Sequence, residues 1–248
     1  MKTHSRSFVF LHKVALAVLV GIATVPASAA PKAQALFNGK DFTGWRKPAG
    51  DWTVAKAVTL DLADAQKFTI QAGQGIIVNG VKGKTVNLVA EAEFGDVEAH
   101  IEFCIPKLSN SGIYFMGRYE VQVYDSFGVE RDQYPGIECG GIYGRCINKQ
   151  NVEGHSPRVN ASKPPGEWQT FDVTFRAPRF DVGGKKIANA KFVKVVHNGQ
   201  VVHENVEITG PTRAALFEDE KSSGPLMLQG DHGPVAYRNL QVKPIALK

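Results

Sequence analysis

Glu120, Gln122 and Tyr124 recur at every second position of the segment NSGIYFMGRYEVQVYD (110–125), alternating with Tyr119, Val121 and Val123. A β-strand has a side-chain period of two, so one carboxylate and two hydrogen-bonding groups share a face. The chemistry open to such a set is proton transfer and the holding of hydroxyl groups. That face is either a solvated sheet surface or the floor of a cleft, and on the strand alone the solvated surface is favoured. Asp125 is a second carboxylate, but the odd spacing from Glu120 sends the two to opposite faces of a regular strand. Only a β-bulge would bring them together; otherwise Asp125 is a strand-end or turn residue. Arg118 would share the face of Glu120 if the strand begins that early. His232 follows Asp231 in a loop flanked by Gly230 and Gly233-Pro234, a setting in which an imidazole can point into a cleft. Tyr143 and Trp168 offer flat faces suited to stacking on sugar rings, or to a core.

The elements that would position these groups are strands. Two apolar runs rich in β-branched and aromatic residues fold about Met116-Gly117, which reads as a hairpin. DVEAHIEF (96–103) alternates throughout, and 168–175 does so again. Residues 192–207 form a second hairpin about Asn198-Gly199, the pair that suits a type I′ turn. The histidines beside these turns and strands, His100, His197 and His203, read as surface residues rather than metal ligands. Further strands are expected near 35–37, 52–62, 73–78, 226–229 and 236–242, and a short helical turn at 213–217. Residues 126–166 are rich in Gly, Pro and Asn and should border the cleft, as long loops in compact domains tend to be functional. Many short strands, turn signals between them and no sustained helical period predict an all-β sandwich or jelly roll of two antiparallel sheets.

Residues 13–25 are apolar, preceded by Lys2, Arg6 and Lys13 and followed by Ala27-Ser28-Ala29, the layout of a secretory signal peptide. The expected organisation is a leader over 1–29 and one domain over 30–248, exported to the periplasm or secreted. The apolar run is too short to span a bilayer, so no membrane partner is expected. Removing its three Lys/Arg and no Asp/Glu lowers the formal charge from +5 to +2, so the basic balance gives no argument for nucleic acid. Of the three cysteines, Cys139 and Cys146 can close a small disulfide loop, leaving Cys104 in a strand. No CxxC pair or suitably spaced His suggests structural zinc.

Six stretches together carry a family resemblance: LFNGKDFTGW (36–45), NSGIYFMGRYEVQVYDS (110–126), CGGIYG (139–144), PPGEWQTFDVTF (164–175), HNGQVV (197–202) and GPLMLQGDHGPVAYRNLQV (224–242). In their order they resemble the 3-keto-disaccharide hydrolase family. The resemblance implies a concanavalin A-like jelly roll and action on a 3-keto sugar or oligosaccharide; an upstream sugar 3-dehydrogenase is a candidate partner. Residues 120–125 are also similar to the Glu-x-Asp-x-x-Glu strand of laminarinase-like glucanases, but Gln122 and Asp125 depart from it, which argues against a retaining carboxylate pair about 5 Å apart. The ketone acidifies the C2 hydrogen, so Glu120 is the candidate base, with Arg118 or His232 stabilising an oxyanion or protonating the leaving oxygen. Gln122 and Gln229 would orient hydroxyls, and Asp125, Tyr143, Trp168 and Asp231 complete the candidate binding set. No cofactor is required, although a divalent metal held by Glu120, Asp231 and His232 is an alternative Lewis acid. The competing readings are a lectin-like binding module and a glucanase-like hydrolase acting on unoxidised glycans.

Overall fold

The structure, a computed structural model, describes Met1 and residues 32–47, 49–130 and 138–247. The leader-like segment lies outside the described residues. In chain order the strands are β1 (Gln34–Ala35), β2 (Thr53–Leu60), β3 (Phe68–Val78), β4 (Leu88–Phe94), β5 (Val97–Cys104), β6 (Asn110–Phe115), β7 (Tyr119–Tyr124), β8 (Arg145–Ile147), β9 (Gln150–Val152), β10 (Gln169–Arg176), β11 (Arg179–Phe180), β12 (Lys186–Ala188), β13 (Ala190–His197), β14 (Gln200–Ile208), β15 (Gly224–Leu228) and β16 (Ala236–Pro244). There is no α-helix among the described residues, and none long and apolar enough to cross a membrane. The segment expected to make a helical turn is instead a tight turn in which Ala214 has φ +60°.

Two antiparallel sheets account for most of the fold, as the alternation predicts. The large one runs β14-β13-β10-β5-β16-β3-β2, with β1 beside β16, and the small one runs β4-β15-β6-β7. Their facing sides meet in one core. Val97, Ala99, Ile101 and Phe103 of β5 and Phe171, Val173 and Phe175 of β10 oppose Ile113 and Phe115 of β6 and Tyr119, Val121 and Val123 of β7. Phe103 and Phe171 stack at 4.7 Å between ring centroids. The chain is therefore an all-β jelly-roll sandwich. Asn198 (φ +49°) and Gly199 (φ +80°) make the left-handed pair that the β13–β14 turn requires.

His197 and His203 depart from expectation, because both are buried. His197 Nε2 donates to Gln169 Oε1 (2.9 Å), and His203 Nε2 donates to the Gly140 carbonyl (2.8 Å). Burial holds both rings neutral, lowering His197 to about 3 and His203 to about 4. Alternation placed them correctly along their strands but did not show that loop 138–144 covers this end of the large sheet. The expected disulfide is absent: Cys104, Cys139 and Cys146 are all free, with Cys139 buried and Cys146 exposed on β8.

Candidate active site

The small sheet has a second face, turned away from the core, and it floors a polar hollow of about 210 Å³. Glu120 and Gln122 of β7 and Asn110 and Tyr114 of β6 supply the floor, with Gln229 at the end of β15. Tyr143, Arg213, Ala214 and His232 come from three loops around it. The volume is below the roughly 300–1,000 Å³ of sites for drug-sized ligands, a size suited to one small ring. Each wall is tied to the floor. Gly140 N–H donates to the Gln122 carbonyl (2.8 Å) and Tyr143 N–H to that of Glu120 (3.2 Å), so loop 138–144 runs as an extra edge along β7. Thr212 Oγ1 accepts the Glu120 N–H (3.2 Å) and donates to the Arg118 carbonyl (3.0 Å).

Glu120 is 2% exposed, so its face is neither solvated nor core. Burial pushes its carboxyl up to about 8, the charge of Asp231 adds to this, and the Tyr114 hydroxyl partly offsets it. Room for the carboxylate comes from Gly112 on the neighbouring strand, where a Cβ would stand 1.9 Å from Glu120 Oε1. Tyr114, directly opposite Glu120 in the ladder, donates to the Arg213 carbonyl (3.2 Å). Burial, followed by the Glu120 charge, also raises Tyr114 and Tyr143, which keeps both phenols protonated as donors. His232 Nδ1 lies 2.6 Å from Asp231 Oδ1 and 3.2 Å from Gln229 Nε2. A carboxylate can only accept, so the Nδ1 proton points to Asp231 and Nε2 is left for other work.

The hollow thus brings together Glu120, Gln122, Tyr143, Gln229 and His232, with Asp231 orienting the imidazole. Three expected members lie elsewhere. Arg118 belongs to the β6–β7 turn rather than to the strand, and its buried guanidinium reaches the Asp219 carbonyl (2.5 Å), Asp219 Oδ1 (2.7 Å), the Met116 carbonyl (2.9 Å) and the face of Phe217 (4.5 Å). Asp125 lies past the end of β7, where its Oδ2 accepts the Leu108 N–H (2.9 Å). No bulge brings it back, since β6 and β7 pair without a register shift from Asn110↔Tyr124 to Phe115↔Tyr119. Trp168 lies before β10, its ring covered by the Arg238 guanidinium at 4.0 Å. Tyr114 and Arg213 were not anticipated. Applying the same alternation to β6 would have found Tyr114, whereas Arg213 sits in an aperiodic loop. Among the described residues no three His, Cys, Asp or Glu cluster in a metal-holding arrangement, so Glu120, Asp231 and His232 do not form the metal set considered.

A larger hollow, about 390 Å³, lies on the outer face of the large sheet. Both of its carboxylates are engaged, Asp172 with His100 (2.6 Å) and Glu98 with Lys243 (2.8 Å), while Lys194 lines it with no ion pair among the described residues, so it is a polar sheet surface.

Residues 32–243 match the 3-keto-alpha-glucoside-1,2-lyase-like domain. The chain belongs to this family. Its membership makes it a carbohydrate-active enzyme of the glycoside-cleaving kind, a hydrolase or a lyase. It is similar to a candidate glycosyl hydrolase of Parabacteroides distasonis at 27% identity and TM-score 0.62, covering 91% of this chain and 94% of that one. Another candidate glycosyl hydrolase of the same organism, 18% identical with TM-score 0.57 over 86% of this chain and 100% of that one, shares the fold. No curated protein matches this member of the family.

Proposed function

We propose that this chain cleaves glycosides whose sugar carries a ketone at C3, with Glu120 as the base. The observation that carries the reading is Glu120 itself: a carboxyl buried in a ring-sized polar hollow, among protonated phenols, with its affinity for a proton raised to about 8. That value suits removal of a hydrogen acidified by a neighbouring ketone better than an ordinary carboxylate would. The ionised carboxylate takes the C2 proton, and the C–H electrons move into a C2–C3 double bond, leaving an oxyanion at C3. Arg213, the guanidinium of the hollow, takes the oxyanion-stabilising role expected of Arg118. Return of the oxyanion to a ketone forms a C1–C2 double bond and breaks the bond from C1 to the leaving oxygen. The departing oxygen takes a proton from Nε2 of His232. Release at this stage is elimination; addition of water at C1 gives net hydrolysis. Gln122 and Gln229 orient ring hydroxyls, and no step is routed through a metal.

The signal-peptide layout supports export to the periplasm or medium, with Ala30 as the first residue of the mature chain, a point that mass measurement of the exported protein checks. An oxidation of the C3 hydroxyl upstream must supply the substrate. The mechanism is tested with 3-keto-glucosides. Wild-type kcat/KM should rise as pH approaches about 8 and Glu120 ionises, and Glu120→Gln should remove that rise and lower kcat/KM by about 10²–10⁴-fold. Turnover by Glu120→Gln at the wild-type rate removes Glu120 from the mechanism. Sugar binding by wild type with no product formed would instead favour a binding module.

A further inference from the structure

A second groove, about 480 Å³, adjoins the reaction hollow, and His232 lines both. Three loops meet at its base around Gly233-Pro234. Lys82 and Lys84 flank Gly83, whose carbonyl accepts the Gly233 N–H (3.0 Å). A Cβ at Gly83 would stand 2.1 Å from Pro234 N, so the two loops touch backbone to backbone. Asn79 Nδ2 donates to the carbonyls of Gly230 (3.0 Å) and Gly233 (2.8 Å), and Thr85 N–H donates to Gly230 (2.9 Å). The third loop brings Lys107 and an exposed Leu108, and Ser109 Oγ fastens it to the Pro234 carbonyl (2.6 Å). The backbones that carry these lysines are therefore fixed relative to His232.

The charge in the groove is one-sided. Lys67, Lys82, Lys84 and Lys107 line it against one carboxylate, Asp64, which is engaged with Lys67 at 2.9 Å. Among the described residues, none of Lys82, Lys84 and Lys107 has an ion-pair partner, whereas the hollow on the large sheet carries two carboxylates, Glu98 and Asp172, among its cations. We propose that this groove is the leaving-group subsite and that it selects glycosides whose aglycone carries a negative charge, as carboxylate, sulfate or phosphate ester. The inference rests on the reading of the neighbouring hollow as the 3-keto-sugar site: a leaving group protonated by His232 departs past it, into the groove that His232 also borders. Because the lysines are exposed, their attraction is modest and screened by salt.

The test compares the 3-keto-glucosides of phenol and 4-carboxyphenol. Wild type should favour the carboxylated substrate by about fivefold in kcat/KM at low salt, the ratio falling towards one at about 1 M salt. The triple variant Lys82→Gln/Lys84→Gln/Lys107→Gln should lose the preference, and Lys→Arg at all three should keep it. A wild-type ratio of one or less, or a ratio that the glutamines leave unchanged, overturns the proposal. Failure to turn over either substrate counts against the 3-keto reading instead. The groove is then judged by calorimetric titration of phenyl and 4-carboxyphenyl glucoside: tighter binding of the carboxylated ligand, lost in the glutamine variant, supports it, and equal or absent binding overturns it.

Discussion

At the scale of single residues the site depends on a side chain that is missing. The Glu120 carboxylate occupies the place where any Cβ at position 112 would be, so Gly112→Ala must push it out of the hollow or swing it to another rotamer. A catalytic group displaced by about 1 Å costs on the order of 100-fold in rate, so Gly112→Ala should lose about that much kcat/KM on a 3-keto-glucoside. It should also move the rise of the pH profile to below 8, because the carboxylate would regain contact with water. An active variant with an unchanged profile would show that the carboxylate does not need this space. Period-two alternation made Glu120 and Gln122 legible as a shared face. It could not show that the face is roofed, because the roof comes from segments distant in sequence. Trp168 illustrates the opposite error: an aromatic suited to a sugar became the underside of Arg238, a cation contributed by a strand some 70 positions further along.

At the scale of elements, the β6–β7 hairpin acts as an anchor for the loop that carries Arg213. Arg118 ties the hairpin turn to Asp219, Tyr119 donates to Glu220 (2.7 Å), and Leu216 N–H donates to the Gly117 carbonyl (2.8 Å). Replacing Arg118 with Met leaves the Asp219 and Met116 carbonyls without their donor and removes the cation from Phe217, which should cost about 3 kcal/mol of stability. Chemical denaturation measures this directly. Activity should fall as well, although Arg118 does not line the hollow, because the loop bearing Arg213 loses its fastening. Full activity in a destabilised Arg118→Met protein would separate the loop from catalysis. The hairpins themselves were readable because Met116-Gly117 and Asn198-Gly199 supply the left-handed residues their turns need. The bulge proposed to recruit Asp125 was not, since nothing local distinguishes a bulged strand from a regular one that ends one residue earlier.

For the whole molecule, three buried titratable groups set opposite slopes of stability against pH. Glu120 keeps its proton in the folded state up to about 8, against an ordinary value of 4.5, so stability falls as pH rises through that window. His197 and His203 stay neutral down to about 3 and 4, against 6.5 when unfolded, so stability falls as pH drops below 6.5. Two histidines outweigh one glutamate between 4.5 and 6.5, which places the maximum melting temperature at about pH 6.5. Glu120→Gln should flatten the alkaline side while leaving the acid side in place, and a scan of melting temperature from pH 4 to 9 checks both limbs. At this scale the sandwich was the most legible feature, because alternation along many strands reports a buried face whatever the loops do. A last consequence belongs to the small sheet, whose strands line the core with one set of side chains and the hollow with the other. Evolution, or an engineer, can reshape what this enzyme accepts most freely by exchanging the segments at 138–144, 209–217 and 229–234, since altering the shared strands perturbs the scaffold along with the chemistry.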